Sequence, residues 1–97
     1  MQHELPATFR IAAPDDALAP KILRGTELIM ESNAKPRPDQ VVLVRDTAGQ
    51  LHLRRYGQGH GGAWRARAPN DAYLTLESDR DGLRLLAVLL WVSGEGY

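Results

Sequence analysis

The chain has no cysteine and no net charge, and each absence removes a class of function. Because none of its 97 residues is a cysteine, disulfide bonds, thiol catalysis and thiolate metal ligands are excluded. Its 12 basic residues are balanced by 12 acidic ones, so the cationic excess that attracts nucleic acids is missing. The most apolar run, residues 85–92, is far shorter than the ~20 residues that span a bilayer. We therefore expect no direct nucleic-acid binding and no membrane segment.

The first ten residues, MQHELPATFR, lack the basic start and the apolar core of a signal peptide. A cytoplasmic location is therefore the default expectation. Hydrophobic residues make up 43% of the chain and charged residues 25%, which is typical of one globular domain with a packed core. We expect this domain to cover residues 8–93, between an N-terminal tail (1–7) and a C-terminal tail (94–97).

Turn-forming residues recur every several positions and separate short runs that are rich in β-branched or aromatic residues. This spacing predicts an all-β (mainly β) fold of twisted antiparallel strands, with at most one short helical turn. The predicted strands are residues 8–12, 27–31, 41–46, 51–56, 63–68, 73–77 and 83–92.

Two of these strands differ in their hydrophobic pattern. Residues 41–44, VVLV, show no polar alternation, so we expect them to be buried on both faces. Residues 51–54, LHLR, alternate strictly, and this pattern is typical of a strand with one face in solvent. His52 and Arg54 should then lie on the exposed face.

Two connections also have clear signals. Residues 46–50 should form a hairpin turn in which Gly49 supplies a positive φ. Residues 15–23 should form a single helical turn, with one of the two aspartates at its start as the N-cap. The side chains expected to face inward from this turn are Leu18, Ile22 and Leu23.

Residue types that do chemistry are few and scattered. The histidines, at positions 3, 52 and 60, show no metal-ligand spacing, so we predict no metal and no cofactor. No serine lies in a motif of nucleophilic catalysis. One local group of arginines is interleaved with Trp64 and Tyr56, and it consists of Arg54, Arg55, Arg65 and Arg67. A solvated arginine face is the preferred interpretation, and a surface for single-stranded nucleic acid is the alternative.

Six segments follow a recognisable order along the chain. They are residues 16–22 (DALAPKI), 25–31 (GTELIME), 39–44 (DQVVLV), 53–56 (LRRY), 68–73 (APNDAY) and 85–89 (LLAVL). In that order they resemble the motifs DSMxP-x-I, GD-x-V-L-V-D, DG-x-I-V-V, V-K-R-L, S-x-N-P-x-Y and I-I-G-V-V of the LexA and phage-repressor C-terminal domains. Those domains are self-cleaving serine peptidases with a strand-rich fold related to signal peptidases. The resemblance covers nearly the whole chain.

The resemblance also implies that the catalytic dyad is replaced. In the family a serine attacks the scissile carbonyl and a lysine takes its proton, and the matching positions here are Ala17 and Arg54. Alanine has no nucleophilic atom, and an arginine, with a pKa above ~12, cannot act as a base near neutral pH. We therefore expect a domain that is not an enzyme. The candidate residues of its degenerate, peptide-binding cleft are Asp16, Leu18, Pro20, Arg54 and Arg55.

Domains of this family also dimerise the DNA-binding proteins to which they belong, commonly through their last strand. Here residues 83–92 are so apolar that an exposed edge would be costly in a monomer. Self-association through this strand is the preferred interpretation, and an ordinary core strand is the alternative. The candidate interface residues are Leu85, Ala87, Leu89 and Trp91. The resemblance implies a homodimeric or larger regulatory module of a phage-type transcriptional repressor, with DNA bound by a separate domain. The alternative is a free-standing protein that captures a peptide, or a segment of a repressor or antirepressor, in the cleft.

Overall fold

The structure is a computed structural model of the chain, and it describes residues 7–59 and 61–92. Within these ranges seven antiparallel strands form one sheet and there is no helix, which confirms the prediction of an all-β fold. The strands are β1 (Ala7–Ala12), β2 (Glu27–Ser32), β3 (Val41–Arg45), β4 (Leu51–Gln58), β5 (Trp64–Arg67), β6 (Leu76–Glu77) and β7 (Arg84–Val92). Apart from Ala7, the predicted tails lie outside the described residues, as do His3 and His60.

The order of strands across the sheet is β1-β2-β7-β3-β4-β5-β6. The last strand of the chain therefore lies inside the sheet, hydrogen-bonded to β2 on one side and to β3 on the other. The expectation of an exposed edge at residues 83–92 is wrong, because β7 inserts between two earlier strands and both of its edges are paired. The edges of the sheet are β1 and the short β6. No helix in the described ranges is long and apolar enough to cross a membrane.

β3 lies between two hydrophobic clusters. Leu43 belongs to the first cluster, onto which the segment after β1 packs through Leu18 and Ile22. Val42 and Val44 belong to the second cluster, together with residues of β5 and β7. Residues 42–44 are all buried, so burial on both faces of this strand is confirmed. Each fully buried Leu or Val contributes about 1.5–3 kcal/mol, which makes β3 a principal anchor of the sheet.

The hairpin between β3 and β4 forms as predicted, with Gly49 at a φ of 85°. Asp46 closes the turn, because its Oδ1 accepts hydrogen bonds from the N–H groups of Ala48 at 2.9 Å and Gln50 at 3.0 Å. Its Oδ2 lies 2.9 Å from Nε2 of His52. Two hydrogen bonds hold the pKa of the Asp46 carboxyl below its ordinary value, and the one from His52 has a larger effect than the one from the Gln50 N–H.

The segment between β1 and β2 is a closed loop that contains the predicted single turn, because the N–H of Ile22 donates to the carbonyl of Leu18 at 3.2 Å. Its ends are joined by a hydrogen bond from Ala13 N–H to the Thr26 carbonyl at 2.8 Å. Leu18 and Ile22 are buried, as predicted. Leu23 is 54% exposed, so the prediction that it faces inward is wrong. The chain reverses there to reach β2, and the Leu23 carbonyl accepts a hydrogen bond from Thr26 N–H at 3.0 Å.

The predicted strand at residues 73–77 is reduced to Leu76–Glu77. Tyr73 is held outside the sheet, because its N–H donates to the Asn70 carbonyl at 3.0 Å. Leu74, which follows it, is 80% exposed. The β-branched and aromatic composition of this run therefore predicted a longer strand than the one that forms. Tyr73 instead contacts the loop between β1 and β2 and the side chain of Arg54.

Candidate functional site

Asp15 joins the two positions that the family resemblance pairs. Its Oδ1 accepts a hydrogen bond from the N–H of Ala17 at 3.1 Å, and its Oδ2 accepts one from Nη1 of Arg54 at 3.1 Å. The loop after β1 and the middle of β4 thus meet at one carboxylate. Sequence reasoning treated Asp15 only as a possible helix cap and missed this contact. The local pattern carries no signal for it, because the partner lies on a distant strand.

Arg54 is buried, and the prediction that it lies on an exposed face of β4 is wrong. Only 3% of the residue is exposed. Besides its bond to Asp15, Nη1 donates to the carbonyl oxygen of Leu53 at 2.9 Å. The ring of Tyr73 covers the guanidinium, with 5.1 Å between the guanidinium carbon and the ring centroid. The LHLR alternation was misleading because the Arg54 side chain contacts the loop between β1 and β2, through Asp15, instead of water.

The segment that follows β5 fixes this arrangement from a third direction. The side-chain amide of Asn70 donates to the carbonyl of Asp16 at 3.2 Å, and its backbone N–H donates to the carbonyl of Ala17 at 3.3 Å. The hydroxyl of Tyr73 accepts a hydrogen bond from Asp16 N–H at 3.2 Å. Tyr73 therefore holds the loop with its hydroxyl and covers Arg54 with its ring. Sequence reasoning identified Asn70 and Tyr73 only as part of a matching motif.

A cleft of about 480 Å³ opens beside this cluster. Its lining includes Asp15, Arg24, Leu51, His52, Arg54 and Tyr73. Of the five residues predicted to form a cleft, Arg54 alone lines this one. Asp16 instead holds the loop, because its Oδ1 accepts a hydrogen bond from Arg24 N–H at 2.7 Å.

The other three predicted cleft residues have different surroundings. Leu18 is buried in the first hydrophobic cluster, and Pro20 is exposed on the far part of the loop. Arg55 is directed elsewhere, because its Nη1 donates to the carbonyl of Asp39 at 2.9 Å. The neighbouring positions 54 and 55 therefore serve separate parts of the molecule, as expected for adjacent residues of a strand.

The two positions matched to the dyad offer hydrogen-bond donors and no nucleophilic atom. Position 17 presents a fully buried methyl group and no hydroxyl or thiol. Arg54 offers a fixed planar guanidinium, which donates hydrogen bonds and does not accept protons at neutral pH. Among the described residues, no three His, Asp or Glu side chains are grouped closely enough to hold a metal ion.

Two other arginines of the basic group, Arg65 and Arg67, are paired with acidic side chains. Arg65 Nε lies 3.8 Å from a Glu77 carboxylate oxygen, and Arg67 Nη2 donates to Asp39 Oδ1 at 3.1 Å. Trp64 packs against Tyr56 with 5.7 Å between ring centroids, and neither ring is fully exposed. These contacts favour the interpretation of a structural arginine face over that of a nucleic-acid surface.

The interface candidates of β7 differ widely in exposure. Ala87 is fully buried in the first cluster, and Leu85 and Leu89 are half-buried against the two clusters. Trp91, by contrast, is 59% exposed. It pairs with Ile29 at a register shift in the β2–β7 ladder, where Leu90 has no partner on β2 and is 40% exposed. Trp91 and Leu90 are thus the two exposed large apolar residues of β7, and we call this part of the strand the β7 patch.

The chain matches no known family model, and no curated protein matches it.

Proposed function

We propose that this chain is a catalytically inactive, peptidase-like domain of a phage-type transcriptional repressor, acting as its dimerisation and regulatory module. A separate helix-turn-helix domain binds the operator on this proposal, and the protein works in the cytoplasm. Two linked copies then gain avidity on two half-sites through effective concentration.

The observation that carries the proposal is the meeting of three segments that are distant in sequence. The resemblance to the repressor family matches residues 16–22, 53–56 and 68–73 separately, from short motifs. In the fold the segment 68–73 contacts both of the others, through Tyr73 with Asp16 N–H and with the Arg54 guanidinium. The first two segments are joined through Asp15, the residue that directly precedes the first one. Motifs that matched by chance would have no reason to meet at one place, so this convergence supports the assignment.

The same contacts support the absence of catalysis. At the position matched to the nucleophile stands the buried methyl group of Ala17, and the position matched to the base is Arg54. The guanidinium is held by Asp15, so it acts as an anchor of the loop. A structural role of this kind preserves the shape of a peptidase site after its chemistry has been lost.

The β7 patch supports self-association. Trp91 and Leu90 are large apolar side chains that remain exposed, whereas the other apolar residues of β7 are buried or half-buried. Because aromatic residues dominate the energetics of protein interfaces, Trp91 is the side chain that we expect to contribute most to dimer affinity.

Sedimentation equilibrium over a range of concentrations tests the proposal. We expect a reversible dimer for the native chain, and for Trp91→Arg a dissociation constant raised at least about tenfold. Leu74→Arg is the matched control, because Leu74 is 80% exposed and lies outside β7. A native chain that stays monomeric at every concentration contradicts the dimerisation proposal. If Trp91→Arg and Leu74→Arg weaken the dimer equally, the interface does not lie at the β7 patch.

A second measurement addresses the catalytic part of the proposal. Relatives of this kind are pushed toward self-cleavage at alkaline pH, so we expect the intact mass of this chain to persist after prolonged alkaline incubation. Mass spectrometry detects any specific break in the backbone. A single defined cleavage product that is formed at a rate independent of protein concentration contradicts the assignment of a dead peptidase.

The cleft favours a second candidate function, the capture of a peptide from another protein. It is open, it is about 480 Å³ in volume, and it combines the apolar Leu51 and Pro14 with a larger set of polar and charged residues that includes Arg24 and Arg54. Polar groups of this kind fix the orientation of a ligand, and apolar side chains bury part of its surface. On this alternative the native chain is a monomer that binds a segment of a repressor or antirepressor.

A further inference from the structure

One edge of the buried Arg54 guanidinium has no hydrogen-bond acceptor. Nη1 is used twice, by Asp15 and by the Leu53 carbonyl. Nε is buried and has no partner among the described residues, and Nη2 makes no hydrogen bond in the same ranges. Nε–H and one N–H of Nη2 point in parallel from the same side of a guanidinium. They form a two-pronged donor, which we call the Arg54 fork.

The Arg54 fork is preorganised. The bonds from Nη1 fix one end of the guanidinium, and the Tyr73 ring covers one of its faces, so the side chain has little rotational freedom left to lose on binding. An orphaned buried N–H also disfavours the empty state, because that donor has left water without gaining a partner. A planar acceptor with two oxygens, lying in the plane of the guanidinium, satisfies both donors together once the side chains that cover Nε move aside, because less than 1 Å² of this atom is accessible in the unbound chain.

The charges around the cleft favour an anion. Asp15 is the one acidic residue of the lining, and its two oxygens are already bound to Ala17 N–H and Arg54 Nη1. The lining also contains Arg24, whose guanidinium makes no ion pair among the described residues. The lining contains two arginines against one aspartate.

We propose that the cleft is a carboxylate-binding site in which the Arg54 fork receives the carboxylate and Arg24 adds long-range attraction. Two oxygens of either a carboxylate or a tetrahedral oxyanion match the fork, and the carboxylate fits this cleft better because the rest of an organic acid packs against Leu51 and Tyr73. The carboxylate belongs to a free small acid or to a peptide. This inference deepens the second candidate function by naming the group that is recognised, and it does not depend on dimerisation.

The first test observes the Nε–H signal of Arg54 by NMR in the native chain. Four probes are titrated at constant ionic strength: acetate, an N-acetylated dipeptide with a free C-terminal carboxylate, the same dipeptide as its C-terminal amide, and sulfate. We expect saturable shifts with both carboxylates, and an affinity for the dipeptide acid at least about tenfold above that for its amide. Tighter binding of the dipeptide acid than of acetate identifies a peptide as the source, and equal affinity identifies a small acid.

Other outcomes of the titration overturn the proposal. Equal binding of the acid and the amide leaves peptide capture standing but removes the carboxylate. Preferred binding of sulfate replaces the carboxylate by a tetrahedral oxyanion. The absence of any saturable shift shows that water alone satisfies the Arg54 fork. None of these results alters the sedimentation test, so failure of this inference and failure of the dimerisation proposal are distinguishable.

The second test exchanges the fork for a point charge. Arg54→Lys keeps a cation beside Asp15 but lacks the two parallel donors, and we expect it to weaken binding of the dipeptide acid at least about tenfold. Arg55→Lys is the matched control, because Arg55 is the next residue and contacts Asp39 instead of the cleft. Equal affinities of the two variants overturn the role of the fork. If Arg54→Lys does not fold, the NMR titration of the native chain still tests whether the cleft binds a carboxylate.

Discussion

Replacing Asp15 by asparagine tests the buried pair on which the site depends. Asparagine keeps an oxygen for the N–H of Ala17 but removes the negative charge that lies 3.1 Å from Arg54. Asp15 and Arg54 are only 8% and 3% exposed, so water does not replace the lost carboxylate. Breaking a buried ion pair by removing one partner costs about 3–5 kcal/mol. We expect a loss near the lower limit, about 3 kcal/mol, because the Leu53 carbonyl still accepts from Nη1.

Urea denaturation, followed by tryptophan fluorescence, measures this loss. A double-mutant cycle with Arg54→Met separates the pair from the single effects, and we expect a coupling energy of about 2 kcal/mol or more. Asp39→Asn is the control, because Asp39 and Arg67 form an ion pair with side chains 72% and 54% exposed. Asparagine also tolerates the φ of 69° at that position, so the control should cost about 1 kcal/mol or less. Additive single effects, or equal losses for Asp15→Asn and Asp39→Asn, refute the reasoning.

Two further predictions concern the hairpin of residues 46–50 and its neighbourhood. Gly82 has a φ of 58°, and an added Cβ collides with Cγ2 of Thr47, so Gly82→Ala should lower the free energy of unfolding by about 1–3 kcal/mol. Gly49 has a φ of 85° and open space around it, so Gly49→Ala should lower the free energy of unfolding less. Thr47→Ser removes the colliding methyl group and should recover part of the stability that Gly82→Ala loses. Equal losses for the two glycine variants, without recovery by Thr47→Ser, contradict the collision. The Asp46 carboxyl has a pKa below its ordinary 3.8, so its contribution is fully present above that value and is lost as pH falls through the lowered pKa. The difference in unfolding free energy between the native chain and Asp46→Asn should therefore shrink in acid, whereas a gap independent of pH would show that the charge of Asp46 is irrelevant.

The pattern of local sequence predicted those parts of the fold that depend on neighbouring residues. The run at 41–44 indicated a strand covered on both faces, and Asp46 with Gly49 indicated the hairpin that follows it. Both depend on short-range chemistry: apolar side chains avoid water whatever their partners are, and glycine reaches a positive φ without a steric cost.

Pairing between distant segments was not predictable in the same way. The alternation at 51–54 predicted that Arg54 faces solvent. It carried no signal that the loop with Asp15 would cover this side chain. The apolar run at 83–92 indicated a strand, but not its place between β2 and β3. In each case the deciding partner lies far along the chain, and the sequence near the residue carries no record of it.

The sequence by itself determined that this chain is mainly β and has no thiol, and that alanine and arginine stand at positions 17 and 54. The tertiary structure decided how these two residues are used. Folding brings Arg54 beneath Tyr73 and against Asp15, where burial requires the guanidinium to have a charged partner. It also leaves the β7 patch and the Arg54 fork without partners of their own in the described chain. Both features arise because strand order and loop packing, rather than residue type, decide which side chains are covered and which find a partner.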